Sequence, residues 1–309
     1  MKNLKLTIMR PKGFHNNIEK IVKQASINVS KKSGWTKIKK CPACKSNINE
    51  NWLLKNKILI KSCLKCGLGY SSMQPKNLED VYNLKSEILN KKKTHKRRAK
   101  YFTKTFGKDR IKFIKKFKKK GSLLDFGCGT GEFANLAKSN FETSTFDYSK
   151  KMTEFVNKTY KIRSFNRLEN IKTKFDIITM YDVIEHLKEP KKTLEILKDK
   201  LKKKGIIVIY TPNKNSLAFD YLKEKSNLCT TPFHLTYFTI NSVKKMVNKN
   251  FKIIFSKTFG LDIIDILTFI RDRKYIKINK KDKNKLLSIQ NLIDKINYSN
   301  HLRVVLKKV

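Results

Sequence analysis

The stretch that decides the fold is LLDFGCGTGEFANLAK, residues 123–138. An apolar run leads into three glycines within five residues, Gly127, Gly129 and Gly131, and a helix-like run follows them. An acid, Asp125, lies two residues before the first glycine. Because a glycine-rich turn lets the backbone approach a nucleotide-like ligand closely, this stretch predicts a ligand site at the carboxyl end of a strand.

Strand-like and helix-like runs alternate from residue 121 to the end of the sequence. Predicted strands are SLLDFG, TSTFD, KFDIITMYD, IIVIYTPN, FKIIFSKTF and a last strand LRVVLKK, and predicted helices lie between them. One of these helices is EPKKTLEILKDKLKKKG, which we expect to end at Gly205. Alternation of this kind is typical of an α/β fold with right-handed crossovers and a mostly parallel sheet.

The spacing of the glycines separates this loop from two other nucleotide-binding motifs. The dinucleotide motif is G-x-G-x-x-G, whereas here the third glycine comes one residue earlier, and the phosphate-loop signature G-x-x-x-x-G-K-[ST] is absent. LLDFGCGTGEF instead resembles the first motif of class I S-adenosylmethionine-dependent methyltransferases. FDIITMYDVIEHL and the following helix and strand resemble a later block of that family, most closely its ubiquinone-O-methyltransferase-like branch.

The resemblance implies a Rossmann-like, doubly wound, mostly parallel seven-stranded sheet that binds S-adenosylmethionine. Asp147 is placed where the family has the acid that binds the ribose hydroxyls, and Tyr148 could lie along the adenine. Asp125 would orient the methionine amine or cap the loop's own N–H groups, and Asp182 would lie by the methionyl end. The predicted cofactor-binding residues are Asp125, Gly127, Cys128, Gly129, Gly131, Asp147, Tyr148 and Asp182.

Elementary electrostatics agrees with that cofactor. Asp125 and Asp147 place two carboxylates beside a loop where a pyrophosphate would be repelled. S-adenosylmethionine carries a sulfonium cation, an ammonium group and a ribose diol, and it has no phosphate. The acids therefore suit this ligand. Cys128 is expected to serve only as a small loop residue.

Four cysteines precede the methyltransferase-like region. Cys41, Cys44, Cys63 and Cys66 form C-x2-C, eighteen residues and C-x2-C, which is within the spacing of a four-thiolate zinc site. The alternative is a pair of redox dithiols. Two evenly placed pairs in a short basic module favour a closed, structural zinc ribbon, in which four protein ligands leave no position for water.

Candidates for the chemistry follow the predicted fourth strand. His186, in YDVIEHL, could act as a general base, or it could bind a divalent cation together with Glu185. The alternative is a histidine that caps or packs beneath the next helix. His234, in TTPFHLTYFT, could cover the acceptor from a loop, or it could be a hydrogen-bonded loop histidine near Tyr237.

The composition is strongly basic. Lys and Arg number 71 against 25 Asp and Glu, which gives a formal net charge of +46 at pH 7. Such a charge suits RNA or an anionic membrane surface. Because few of these residues are Arg, the side chain preferred for bidentate phosphate recognition, the composition favours drift in a Lys-rich proteome over a dedicated surface.

We expect four segments along the chain. They are a basic N-terminal segment (1–40), a zinc ribbon (41–72), a basic helical linker (73–120) and the methyltransferase domain (121–309). In the linker, Phe102, Phe106, Phe113 and Phe117 recur at helical spacing, which predicts one buried face.

The sequence is compatible with three functions. The leading hypothesis is O-methylation of a small-molecule, sugar-linked or lipid-linked acceptor. The second is methylation of RNA, such as ribosomal RNA, bound by the basic ribbon and the helix of residues 91–120. The third is a zinc-ribbon binding protein without catalysis. Without a signal segment or a membrane span in the sequence, we expect a cytoplasmic protein, with peripheral contact to an anionic membrane still open.

Overall fold

The computed structural model describes residues 13–81, 103–247, 250–272 and 280–309. Its N-terminal part begins with a helix and continues into short strands. In chain order these are α1 (Phe14–Lys32), β1 (Trp35–Lys37), β2 (Asn49–Lys55), β3 (Ile58–Cys63), β4 (Gly69–Ser71) and β5 (Met73–Pro75). β1 and β5 pair antiparallel with each other, and β2, β3 and β4 form an antiparallel meander. Cys41 and Cys44 lie in the loop between β1 and β2, and Cys63 and Cys66 lie at the end of β3 and in the turn that follows it.

The C-terminal part contains the predicted α/β sheet. Its strands, with the short β11 that lies outside this sheet, are β6 (Ser122–Phe126), β7 (Glu142–Phe146), β8 (Ser164–Phe165), β9 (Phe175–Tyr181), β10 (Leu201–Pro212), β11 (Thr236–Tyr237), β12 (Phe251–Phe259) and β13 (His301–Lys308). The order of the seven strands is β12-β13-β10-β9-β6-β7-β8, and only β13 runs antiparallel to its neighbours. The predicted Rossmann-like, mostly parallel seven-stranded fold is thereby confirmed.

Helices cover both faces of this sheet. They are α2 (Lys108–Lys115, preceded by a π-helical turn at Thr103–Gly107), α3 (Glu132–Ala137), α4 (Lys150–Tyr160), α5 (Pro190–Asp199), α6 (Leu217–Leu222), α7 (Ile240–Val247), α8 (Asp262–Arg271) and α9 (Lys280–Lys295). Successive residues of one strand serve opposite faces, since Leu123 packs with α2 and α3 while Leu124 packs with α5 and α7. None of the described helices is long and apolar enough to cross a membrane.

Local sequence explains where several helices begin. α5 begins with Pro190, whose missing N–H costs nothing in the first turn. Before α7, the Thr239 hydroxyl accepts from the Ser242 N–H at 3.0 Å, and the Ser242 hydroxyl accepts from the Thr239 N–H at 2.8 Å. This reciprocal pair satisfies two N–H groups that the helix itself cannot.

One predicted boundary was wrong. The helix expected to run to Gly205 ends at Asp199, and the chain enters β10 at Leu201. Leu201 pairs with Phe175, and the register with β9 then shifts before Ile206. The exposed lysines between them form this bulge, so tertiary pairing overrides the helical propensity of a Lys-rich run.

The phenylalanine-lined helix ends earlier than expected, at Lys115. Residues 91–102, including Phe102, lie outside the described part of the chain. Phe113 is buried and contacts Phe255 with ring centroids 5.0 Å apart, and Phe117 packs beside them. The face predicted to be buried does pack on the sheet where the structure describes it.

The cysteine module and the α/β sheet share one hydrophobic core. Cys66, Leu68 and Tyr70 belong to the same buried cluster as Leu124 and Val243. In addition, β11 pairs with β4, so a loop of the C-terminal part becomes the fourth strand of the cysteine module's sheet. The strand pairing and the shared core join the two parts into one unit.

Candidate functional site

The glycine loop lies at the carboxyl edge of the parallel sheet. The N–H groups of Gly127 and Cys128 both donate to the Phe146 carbonyl, at 2.7 and 3.0 Å. The Asp147 carboxylate then accepts from the N–H of Gly129 and from the N–H of Ser149, each at 2.9 Å. Asp147 therefore binds the loop after β6 to the start of α4.

Two of the three glycines are required by close packing. Gly127 has φ +77°, and a Cβ there would lie 2.5 Å from a methyl group of Val183. Gly131 has φ +76°, and its Cβ would lie 2.7 Å from a methyl group of Val156. Any side chain at these positions would meet both strain and a clash.

The middle glycine faces open space. Gly129 has φ +53°, and no atom lies within 4 Å of the position that its Cβ would occupy. The loop thus presents bare backbone above a space that a ligand can enter. This is the fit expected for S-adenosylmethionine, whose approach to the loop needs room and no phosphate-binding charge.

Asp125 lies beneath the loop in β6. Its side chain is buried and accepts a hydrogen bond of 2.8 Å from the Thr179 hydroxyl. Burial raises the pKa of Asp125 to about 7, although the Thr179 hydrogen bond and the charge of Arg110 act in the opposite direction. The carboxyl group therefore titrates near neutral pH and gains from a cation placed next to it.

The predicted adenine contact, Tyr148, lies at the open side of the site. Its ring is 61% exposed and meets Phe146 edge-on with centroids 5.0 Å apart. Cys128, in contrast, is buried, and burial raises the pKa of its thiol well above the usual value. A protonated buried thiol is a poor nucleophile, in agreement with a packing role.

Sequence reasoning missed Arg110. This residue lies on α2, is buried, and places its guanidinium 4.2 Å above the Tyr181 ring and 4.8 Å from the Tyr210 ring centroid. It also pairs with Asp182 at 3.3 Å, and Asp182 itself has φ +59°. Because Arg110 belongs to a run rich in Lys and Arg, its sequence context gave no sign that it differs from its neighbours.

The three candidate catalytic residues come together. Glu185 is buried and accepts a 2.9 Å hydrogen bond from Thr211 at the end of β10. His234 Nε2 lies 4.0 Å from the other oxygen of Glu185, and the rings of His186 and His234 are 4.9 Å apart. One ligand atom from each of the three side chains fits within 4.8 Å of the others.

Backbone carbonyls determine how the two imidazoles are oriented. His186 Nδ1 lies 2.7 Å from the Phe233 carbonyl, and His234 Nδ1 lies 2.8 Å from the Leu228 carbonyl. A carbonyl oxygen can only accept, so Nδ1 of each neutral ring carries the proton and Nε2 carries the lone pair. The cluster can therefore receive a proton or ligate a cation.

The four candidate metal-binding cysteines also converge. Cys41 Sγ lies 3.6 Å from Cys66 Sγ, Cys44 Sγ lies 3.5 Å from Cys63 Sγ, and all four sulfurs fit within 4.8 Å. Sulfurs around a tetrahedral zinc are about 3.8 Å apart, as follows from Zn–S bonds of about 2.3 Å. The hydrogen bond from the Cys66 thiol lowers the pKa of Cys41. This donor set fits a closed zinc site.

The sequence profile of a family described as "Methyltransferase domain" matches residues 94–254. No curated protein sequence matches the chain significantly.

Solved methyltransferase structures are similar to this fold. One is a SAM-dependent methyltransferase from Archaeoglobus fulgidus, 24% identical, covering 65% of this chain and 92% of its own, with a TM-score of 0.45. Another, from Thermotoga maritima, is titled a possible histamine N-methyltransferase; it is 16% identical, covers 74% of this chain and 100% of its own, and has a TM-score of 0.47. A third is the plantazolicin methyltransferase BpumL in complex with SAH. It is 17% identical, covers 74% of this chain and 99% of its own, and has a TM-score of 0.45.

The glycine loop yields a stability prediction. Gly129→Ala meets only the strain of positive φ and should lower the free energy of unfolding by about 1 kcal/mol. Gly127→Ala adds the clash with Val183 and should cost about 2–4 kcal/mol. Urea denaturation measures both losses. In Gly127→Ala combined with Val183→Ala, part of the loss should be recovered, and equal losses for the two single variants would contradict this account.

Proposed function

The chain belongs to the methyltransferase-domain family and is an S-adenosylmethionine-dependent methyltransferase, and we propose that it methylates a hydroxyl group of a small-molecule, sugar-linked or lipid-linked acceptor. The observation that carries this proposal is the Glu185–His186–His234 cluster at the carboxyl edge of the sheet. Two imidazoles with Nε2 lone pairs, backed by a buried carboxylate, suit the removal of a hydroxyl proton.

The glycine-loop residues would bind the cofactor. Asp147 would accept from the ribose hydroxyls with its remaining lone pairs, since each of its oxygens already accepts one N–H bond in the loop. Asp125 would attract the methionine ammonium, directly or through a water. Gly129 has no side chain and would leave room for the cofactor to lie against the loop.

Arg110 would bind the carboxylate of the cofactor's methionine portion. Its guanidinium is held by Tyr181, Tyr210 and Asp182 at the same strand ends from which Asp125 comes. A guanidinium that is already oriented loses little side-chain freedom on binding a carboxylate. The cationic methionine amine and its anionic carboxylate would thus meet charges of opposite sign.

S-adenosylmethionine supplies an electrophilic methyl group on a sulfonium sulfur. His186 or His234 would accept the hydroxyl proton at Nε2 as the acceptor oxygen forms its bond to the methyl carbon. When bound, the cofactor would supply the methyl group, keep the electron pair of the carbon–sulfur bond on its sulfur and leave as S-adenosylhomocysteine. Glu185 would stabilise the imidazolium that forms, and in-line positioning of the acceptor would supply much of the rate.

A divalent cation is the alternative role for the same cluster. The Glu185 carboxylate and the Nε2 atoms of His186 and His234 form a two-histidine, one-carboxylate donor set. Each histidine also donates its Nδ1 proton to a carbonyl, as metal-bound histidines commonly do. In that case the three residues would hold the cation, and the cation would lower the pKa of the acceptor hydroxyl.

RNA methylation is the second candidate function, and the net charge of +46 is the observation in its favour. A basic surface predicts RNA binding that weakens steeply with salt, because neutralised phosphates release counterions. The non-catalytic alternative is not retained, since the chain is a methyltransferase. A cytoplasmic location remains a prediction.

The proposed function is tested by methyl transfer into fractionated cell extract. Purified protein is incubated with methyl-labelled S-adenosylmethionine, and products are separated by nuclease treatment, solvent extraction and size. We expect label in small-molecule, glycan or lipid fractions. His186→Gln should lower that transfer about 100-fold or more while binding of S-adenosylhomocysteine is kept. Label in nuclease-sensitive material would instead establish the RNA function.

The ionisation of Asp125 predicts pH-dependent cofactor binding. Because its pKa is raised to about 7, the carboxyl group is largely neutral at pH 6 and ionised at pH 8. Affinity for S-adenosylhomocysteine, which carries the same ammonium group, should rise as pH increases through 7 and then level off, by up to about tenfold per unit below the pKa. Isothermal titration calorimetry measures this. Asp125→Asn should bind weakly with a flat profile, and an unchanged profile in this variant would refute the assignment.

We also propose that Cys41, Cys44, Cys63 and Cys66 bind one structural zinc ion, as in a zinc ribbon. Metal analysis should find about one zinc per chain, and replacing Cys41 and Cys44 by Ser should remove it. Cys128→Ser, a cysteine outside the cluster, should keep the metal. Zinc retained in the double variant would exclude this ligand set.

A further inference from the structure

We propose that the cysteine module positions the catalytic cluster, with Ser71 of β4 as the positioning residue for His234. This inference rests on the proposed function, because it gives His234 a role at the acceptor. It goes beyond that function in assigning a task to a segment that is remote in sequence from every cofactor-binding residue.

Strand pairing joins the cysteine module to the segment that follows His234. β11 pairs antiparallel with β4, with Thr236 opposite Tyr70 and Tyr237 opposite Gly69. The Ser71 N–H extends this pairing by donating to the Leu235 carbonyl at 3.0 Å. His234 therefore lies directly before a segment whose backbone is held by the cysteine module.

The same segment is also hydrogen-bonded to Glu185. The Leu235 N–H donates to the Glu185 carbonyl at 2.8 Å, while the Leu235 carbonyl accepts from Ser71. Leu235 is fully buried, so both of its backbone groups depend on these partners. The backbone of a single residue, Leu235, is thus held between the cysteine module on one side and a candidate catalytic residue on the other.

A network of buried hydroxyl groups connects Ser71 to His234. Ser71 Oγ lies 2.9 Å from Thr231 Oγ1, and the Thr231 hydroxyl donates to the His234 carbonyl at 3.0 Å. Tyr237 contributes a third hydroxyl, 2.9 Å from Thr231 Oγ1. Since Thr231 uses its proton on His234, its oxygen is left to accept from Ser71 and Tyr237. All three side chains are fully buried, so the network has little freedom to rearrange.

The structure also shows why β4 can approach so closely. Gly69 lies opposite Tyr237, and a Cβ on Gly69 would come 3.0 Å from the Tyr237 Cβ and 3.1 Å from the Trp52 ring. The rings of Trp52 and Phe219 pack around the Tyr237 ring, with centroid distances of 5.5 and 5.8 Å to it. The contact between the parts is therefore close-packed as well as hydrogen-bonded.

Histidine NMR tests the inference without knowledge of the acceptor. The chain has five histidines, so individual imidazole signals can be assigned with His186→Gln and His234→Gln. Ser71→Ala should shift the ring nitrogen signals of His234, while those of His15 and His301 stay in place. Thr231→Val should do the same, and Thr231→Ser, which keeps the hydroxyl, should not.

The matched control is Ser46→Ala, a serine of the same module whose hydroxyl accepts from the nearby Ile48 N–H. We expect Ser71→Ala to lower methyl transfer into the labelled fraction about 10- to 100-fold, with affinity for S-adenosylhomocysteine unchanged within about twofold. Unmoved His234 signals in both Ser71→Ala and Thr231→Val would overturn the inference, and so would equal shifts of all histidines. If the spectra change as expected and no fraction is labelled, the proposed function is refuted, while the positioning of His234 by the cysteine module is supported.

Discussion

Contact between the bare backbone of Gly127 and the Val183 side chain is the constraint on which the site depends. A Cβ at Gly127 would lie 2.5 Å from Val183, so only glycine lets the loop after β6 lie against the segment after β9. Val183 directly precedes the turn that carries Glu185 and His186. The same contact therefore sets the distance between the residues suited to the cofactor and those suited to the acceptor.

A second constraint acts from the other side of the site. The pairing of β4 with β11 holds the loop that contains His234, and His234 completes a cluster begun by Glu185 and His186. The cysteine module shares a core with the sheet, so its four thiols lie in a scaffold that extends to this loop. Glycine packing and cross-module strand pairing together define the position of the candidate catalytic groups.

Acidic residues are few in this chain, and several lie where burial makes them sensitive to their surroundings. Asp125 and Asp262 are both buried, and burial raises the pKa of each to about 7. Asp262 accepts from the backbone N–H groups of Ala218 and Asn300 and thereby fixes the chain around β10 and β13. Asp125 has one hydroxyl donor, Thr179, and lies beside the open loop, which leaves it suited to a ligand cation.

The sequence by itself determined the features that depend on local pattern. Four features could be predicted because each is set by neighbouring residues along the chain. They are the alternation of strands and helices, the G-x-G-x-G loop, the position of Asp147 after β7 and the spacing of the cysteine pairs. Only the tertiary structure decided that α5 stops at Asp199, that Arg110 is buried between aromatic rings, and that β4 pairs with β11. These features depend on partners far away in sequence. Packing against those partners removes apolar surface and backbone polar groups from water, and no short stretch of sequence contains that information.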